Sequence, residues 1–267
     1  MYAFDFHRPT SVRQAAALLA KAEDAKILAG GHTLLPTMKQ RLAAPASLVD
    51  LARCDELKGI ERKGRSVVIG AMTTHAEVAA SDVVREAIPG LAELAELIGD
   101  PAVRHRGTIG GSLANNDPAA DYPAAALALG ATIVTNRRKI EADDYFKGMF
   151  ETALEEGEII TRVSFPVPAK AAYAKFRNPA SRYALAGVFV AKRGSEVRVA
   201  VTGAGSDGVF RWGAAEEALR TRFTAKSLDG LSADAGKMNS DIHAGADYRA
   251  HLVGVMARRA VQAATAR

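Results

Sequence analysis

The chain has 267 residues, 48% of them hydrophobic and 24% charged, the balance of an ordinary globular protein with room for one large domain or two modest ones. Its net charge of +5 comes from Lys and Arg spread along the whole length, which disfavours a nucleic-acid binder and suits an acidic partner or a phosphate-bearing ligand. Cys54 is the only cysteine, so an internal disulfide, an iron–sulfur cluster and a structural zinc site are excluded on this chain; with no membrane-length apolar run and no signal-peptide layout, the expected address is cytoplasmic.

Ser11 is placed to cap a first helix over 12–22, where Val12, Ala15, Ala16 and Leu19 recur at helical spacing. A short buried strand over 25–29 stops at Gly30-Gly31-His32-Thr33, and a helix over 34–42 follows, with Pro36 tolerated only in its first turn. Residues 47–51 read as a strand, 58–65 as a polar connector and subdomain boundary, and 67–70 as the next strand. Thr74 caps a helix beginning at His75, and helices are expected over 81–87 and 90–98. Asp117-Pro118 has the form of a helix start, with Asp as N-cap and Pro in the first helical position, for a helix running to Leu129. Residues 131–135 and 139–141 flank Asn136-Arg137-Arg138 as a hairpin, and 158–165 is a strand closed by Pro166. Beyond a linker over 166–170 the pattern changes to antiparallel strands over 173–177, 188–192, 197–202 and 209–212. Helices are expected over 214–220, 227–235 and 248–264. The expected class is α+β, in lobes spanning 1–57, 58–168 and 169–267.

The chemistry is densest between Arg104 and Pro123. Gly110-Gly111 lies between the hydroxyls of Thr108 and Ser112, and backbone N–H groups freed by glycine beside small hydroxyls form a cradle for phosphate. Gly30-Gly31 taken alone is as readily a strand-to-helix corner. A second pair in similar company favours two loops facing each other across one pyrophosphate. Gly203-Ala204-Gly205-Ser206-Asp207-Gly208 matches G-x-G-x-x-G in form, but 209–212 continues as an extended run where a dinucleotide fold needs a helix. A hairpin turn is the better reading. The six histidines show no metal-ligand spacing, and no nucleophile elbow or cysteine-nucleophile signature occurs, so no catalytic or metal-binding residue is assigned. Asp121 is either a solvated acid favoured in a first helical turn or the partner of a sugar-like hydroxyl. Lys175 and Tyr183 offer a cation and a flat aromatic face near one another, and such a face packs well on a flavin ring.

Four ordered motifs carry a resemblance: Ala29-Gly30-Gly31-His32-Thr33-Leu34-Leu35-Pro36, Arg106-Gly107-Thr108-Ile109-Gly110-Gly111-Ser112, Asp117-Pro118-Ala119-Ala120-Asp121, and Asn178-Pro179-Ala180-Ser181-Arg182-Tyr183-Ala184. With them the chain resembles, from Tyr2 to its last helix, the FAD-binding medium subunits of the molybdenum hydroxylases, the group that includes aerobic carbon monoxide dehydrogenase and xanthine dehydrogenase. The resemblance implies a two-lobed FAD-binding module of the vanillyl-alcohol-oxidase type, followed by a C-terminal α+β lobe with an antiparallel sheet. The FAD pyrophosphate would lie on Ala29, Gly30, Gly31, His32 and Thr33 and on Thr108, Gly110, Gly111 and Ser112. Ile27, Leu28 and Leu34 would bracket the first loop. Asp121 would take a hydroxyl of the cofactor, Ile160 would pack on the flavin, and Lys175 and Tyr183 would flank the isoalloxazine.

The same resemblance implies two partners: a large molybdopterin subunit and a small subunit with two [2Fe–2S] clusters, together forming a dimer of heterotrimers. Substrate would be oxidised at molybdenum, and electrons would pass through the clusters to FAD on this chain and on to an external acceptor. A single cysteine agrees with clusters held elsewhere. The competing reading is a self-contained flavin oxidase or reductase, which needs its own substrate pocket and base. A scaffold that has lost its cofactor is disfavoured by the intact glycine loops.

Overall fold

The computed structural model describes residues 1–266. Its first sheet is parallel, with Ser47–Asp50 between Asp5–His7 and Ala25–Leu28. Parallel neighbours require crossovers, and the helices Val12–Leu19 and Leu34–Lys39 supply them. Ser11 caps the first helix by accepting from the Gln14 N–H, as expected, although that helix stops at Leu19. The central strand is buried at all four positions, and Val49 packs with Ala15, Leu51, Cys54 and Leu57.

The second sheet is antiparallel, in the order Ile60–Lys63, Ser66–Gly70, Ile160–Pro166, Thr132–Thr135, Lys139–Glu141. The connector expected over 58–65 is therefore largely an edge strand turning at Gly64, whose φ is +58°. Three of its four residues are exposed, so it lacks the apolar alternation that marks a half-buried strand. His75–Ala80 begins with a full capping box between Thr74 and Glu77, and Asp82–Ala87 is capped by Ser81.

Around the second glycine segment two helix starts differ from the sequence reading. Thr108 caps an unforeseen helix, Ile109–Asn115, which closes on Asn116 at φ +43°. Asp117 caps no helix; its carboxylate accepts from the Ala119 N–H and closes a turn. The following helix is Tyr122–Leu129, with Pro123 in its first turn and every residue buried.

The third sheet runs Lys170–Arg177, Ala184–Arg193, Glu196–Thr202, Phe210–Arg211, each strand antiparallel to the next. The linker thus shrinks to 167–169. Strand alternation sends Tyr173, Phe189, Ala191 and Ala200 into one core with the helix Tyr122–Leu129. It sends Ala172, Val188, Val190 and Val199 into another, against the helix Ala246–Thr265. One sheet therefore joins two cores. The stretch 203–208 is the hairpin turn expected, with Gly203 and Gly208 at φ +81° and +95° and Val201 paired to Phe210. The helix expected over 227–235 does not form: short 3₁₀ turns at Ala225–Leu228 and Ala235–Lys237 flank Gly230 at φ +78°. Among the described residues no helix is long and apolar enough to cross a membrane, and no cluster of three or more His, Cys, Asp or Glu could hold a metal.

Candidate cofactor cleft

A cleft of about 660 Å³ opens between the three sheets. Every residue singled out from the sequence lines it: Ile27 through Leu34, then Thr108, Gly110, Gly111, Ser112, Asp121, Ile160, Lys175 and Tyr183. Residues as far apart in sequence as Ile27 and Tyr183 are thus brought to one place.

The two glycine segments contribute differently. In the first, the N–H groups of Gly30, Gly31, His32 and Thr33 donate to no protein atom among the described residues. Gly31 turns the chain there at φ +76°. A run of free backbone amides facing a cleft is an anion site. In the second segment the amides are already engaged, with Ile109 N–H on the Thr73 carbonyl, Gly110 N–H on the Ala71 carbonyl and Gly111 N–H on Thr108 Oγ1. Its glycines matter for the side chain they lack. A Cβ on Gly110 would lie 2.6 Å from Ala71 Cβ, and one on Gly111 would lie 2.9 Å from Thr108 Oγ1 and 3.5 Å from Ala29 Cβ. The segments touch directly, since a Cβ on Gly30 would fall 2.3 Å from the Arg106 carbonyl oxygen. The expected pair of loops is one amide row and one close-packed helix start.

Asp121 is nearly fully buried and already engaged. Lys175 Nζ lies 2.8 Å from its Oδ2, and the Tyr173 hydroxyl donates to Oδ1 at 2.5 Å. Burial raises the Asp121 pKa, and Lys175 and then Tyr173 oppose that rise. Lys175 also donates to the Leu97 carbonyl at 3.1 Å. Tyr173 was not singled out from the sequence; its signal is the i, i+2 spacing to Lys175, which puts both on one side of the strand. Tyr183 presents a half-exposed ring to the cleft, and burial, followed by Asp117 and Asp121, pushes its phenol upward.

Two further lining residues escaped the sequence reading. His75 is buried beside Gly107, its pKa lowered to about 4 by burial first and then by His32 and Arg104, so it is neutral at pH 7. Its Nδ1 and the hydroxyl of Tyr122, whose ring lies 5.3 Å away, have no hydrogen-bond partner among the described residues. Glu158 accepts from Arg138 through both oxygens, from the Thr135 hydroxyl at 2.7 Å and from the Glu155 N–H at 2.8 Å. These bonds, Arg138 foremost, hold its carboxyl at about 2. Because the folded pKa is depressed, this stabilisation is complete above the unfolded pKa near 4.5 and fades as pH falls toward 2. Because Arg138 is 41% exposed, solvent screening limits this to about 1–2 kcal/mol. Glu158→Gln should lose a comparable amount at pH 7 and flatten the pH dependence of the urea midpoint between pH 4.5 and 2. An unaltered acid limb in that variant would remove Glu158 as its source.

Residues 2–168 match the family model described as the FAD-binding domain in molybdopterin dehydrogenase. The chain belongs to this family. It is a FAD-binding medium subunit of the molybdenum hydroxylase type, a subunit of an oxidoreductase. It is 40% identical over 281 residues to the carbon monoxide dehydrogenase medium chain of Hydrogenophaga pseudoflava, covering 99% of this chain and 98% of the relative. It is 38% identical over 279 residues to the nicotine 6-hydroxylase medium subunit of Paenarthrobacter nicotinovorans, with the same two coverages. The solved structure of reconstituted carbon monoxide dehydrogenase from Oligotropha carboxidovorans superposes with a TM-score of 0.90 at 38% identity, over 100% of this chain and 99% of that one. Medium subunits named for a gas and for an alkaloid resemble this chain almost equally, so likeness here does not track substrate.

Proposed function

We propose that this chain is the electron-transfer subunit of a molybdenum hydroxylase, working beside a large molybdopterin subunit and a small [2Fe–2S] subunit in a cytoplasmic dimer of heterotrimers. The proposal divides it into lobes 1–57, 58–168 and 169–267, with the cofactor between them. The amide row of Gly30, Gly31, His32 and Thr33 would receive the FAD pyrophosphate, bracketed by Ile27, Leu28, Ala29 and Leu34. Thr108, Gly110, Gly111 and Ser112 would let it approach closely. Ile160 and Tyr183 would wall the flavin, Lys175 would face it as a cation, and Asp121 would offer its remaining lone pairs to a cofactor hydroxyl. Bound there, FAD supplies the one- and two-electron chemistry that connects iron–sulfur clusters to an external acceptor.

The observation that carries this reading is the row of unpartnered amides in a cleft whose buried acids are already committed. Asp121 is paired with Lys175, Glu158 is locked to Arg138, and His75 is too weak a base to take a proton from carbon. That favours a relay over a self-contained oxidase. Titration of the purified chain should give one FAD per chain with quenched flavin fluorescence. The FAD-loaded chain should turn over neither carbon monoxide nor nicotine alone, and should be reduced once a reduced [2Fe–2S] partner is added. Turnover of an organic substrate by the isolated chain would select the oxidase instead, and a folded chain without FAD affinity would overturn both.

A further inference from the structure

The strand Lys170–Arg177 sends Tyr173 and Lys175 to the same carboxylate, one to each oxygen. The Tyr173 phenol sits in space made for it. Gly187 lies across the ladder from Lys175, and a Cβ there would fall 2.2 Å from the Tyr173 hydroxyl. Phe189, the cross-strand partner of Tyr173, stacks on its ring at 6.1 Å. The carboxylate is held from behind as well, because Thr202 donates to the carbonyls of Pro118 and Ala120, in the turn that delivers Asp121. Lys175 has three N–H donors; Asp121 and the Leu97 carbonyl take two, and the residue lines the cleft.

Building on the FAD reading above, we propose that Tyr173 is a positioning residue for the cofactor's electrostatics: through Asp121 it holds Lys175 and its counterion fixed at the cleft wall, which raises the reduction potential of bound FAD. A buried carboxylate with one cationic neighbour can be neutralised by taking that neighbour's proton. The Tyr173 hydrogen bond favours the ionised carboxylate and so preserves the counterion that anchors Lys175. Reduction places negative charge on a flavin, and a fixed ammonium at the cleft wall stabilises it. Two hydrogen-bonded partners also leave the side chain of Lys175 a single geometry.

The test is the midpoint potential of FAD in the full chain, measured by dye equilibration in the wild type, Tyr173→Phe, Lys175→Gln and the double variant. Tyr173→Phe should still take up oxidised FAD. Its ratio of affinities for reduced over oxidised FAD should fall about tenfold, a potential about 30 mV lower for a two-electron couple. In the Lys175→Gln background the tyrosine substitution should add nothing, because its effect passes through the lysine. Replacing Tyr173 with 3,5-difluorotyrosine, a more acidic phenol of nearly the same shape, should move the potential the other way, and decides the matter if the phenylalanine variant does not fold. An unchanged potential in FAD-loaded Tyr173→Phe or in the fluorinated protein, or shifts that add to those of Lys175→Gln, would overturn the proposal. Failure of the wild type to bind FAD would instead overturn the reading on which it rests.

Discussion

Gly111→Val should give a folded chain that retains no FAD. Gly111 sits in the first turn of the helix Ile109–Asn115, its N–H on the capping oxygen of Thr108. A Cβ there meets that oxygen at 2.9 Å and Ala29 at 3.5 Å, and the branches of valine would extend into the seam between the two glycine segments. The cost to the fold is confined to a strained cap, on the order of 1 kcal/mol, and a melting temperature a few degrees lower. The cost to the cofactor is loss of the close approach beside the amide row. Flavin content should drop from one per chain to under about a tenth, a loss of more than about 1.4 kcal/mol in binding, with Gly111→Ala in between. Gly110→Val should behave differently. That residue is fully enclosed against Ala71, so the helix could not seat on the sheet and the chain should fail to fold. Flavin-to-protein ratio and thermal melting, read together, separate the two cases. Full FAD occupancy in Gly111→Val would mean that the cofactor does not pass this glycine.

That contrast shows where the sequence was legible. Both glycine pairs read from the sequence line the cleft. What they do there was not legible, because the roles depend on which amides the fold consumes. Thr73 and Ala71 take the amides at 109 and 110, and neither could be paired with them before the sheet was known. The helix Ile109–Asn115 was hidden for a local reason: two consecutive glycines lower helix propensity by about 2 kcal/mol, and tertiary seating restores it. The strand Ile60–Lys63 was hidden by exposure, since an edge strand with three solvent-facing residues carries little apolar signal. Glu158 read only as the first residue of the strand over 158–165, and its locked state comes from Arg138 and Thr135 across a hairpin. The third sheet was readily legible, because strands covered on both faces read as near-continuous apolar runs; its first three strands proved longer than expected and its last, Phe210–Arg211, shorter.

Asp121→Ala should lower the stability of the chain without FAD by about 3–5 kcal/mol. As a ligand to a cofactor hydroxyl alone, Asp121 would leave the apo chain unaffected when removed and would cost only the binding free energy of a charge-assisted hydrogen bond, about 1.5–3 kcal/mol. The geometry assigns it a larger part. Its carboxylate is the counterion of an ammonium that is 1% exposed, and it accepts from the hydroxyl of a buried tyrosine. Truncation strands both donors, and the uncompensated buried charge is the expensive one. Lys175→Met in the same chain should recover most of the loss, since it removes the charge left behind and keeps the packing. Asp121→Asn should fall between, because an amide still accepts from Tyr173 but no longer neutralises Lys175. Urea denaturation of the four apo chains measures this directly. Apo Asp121→Ala as stable as its parent would return the residue to a purely cofactor-facing role. Recovery in the double variant would establish that the acid which looked like a sugar ligand serves first to hold a cation in place.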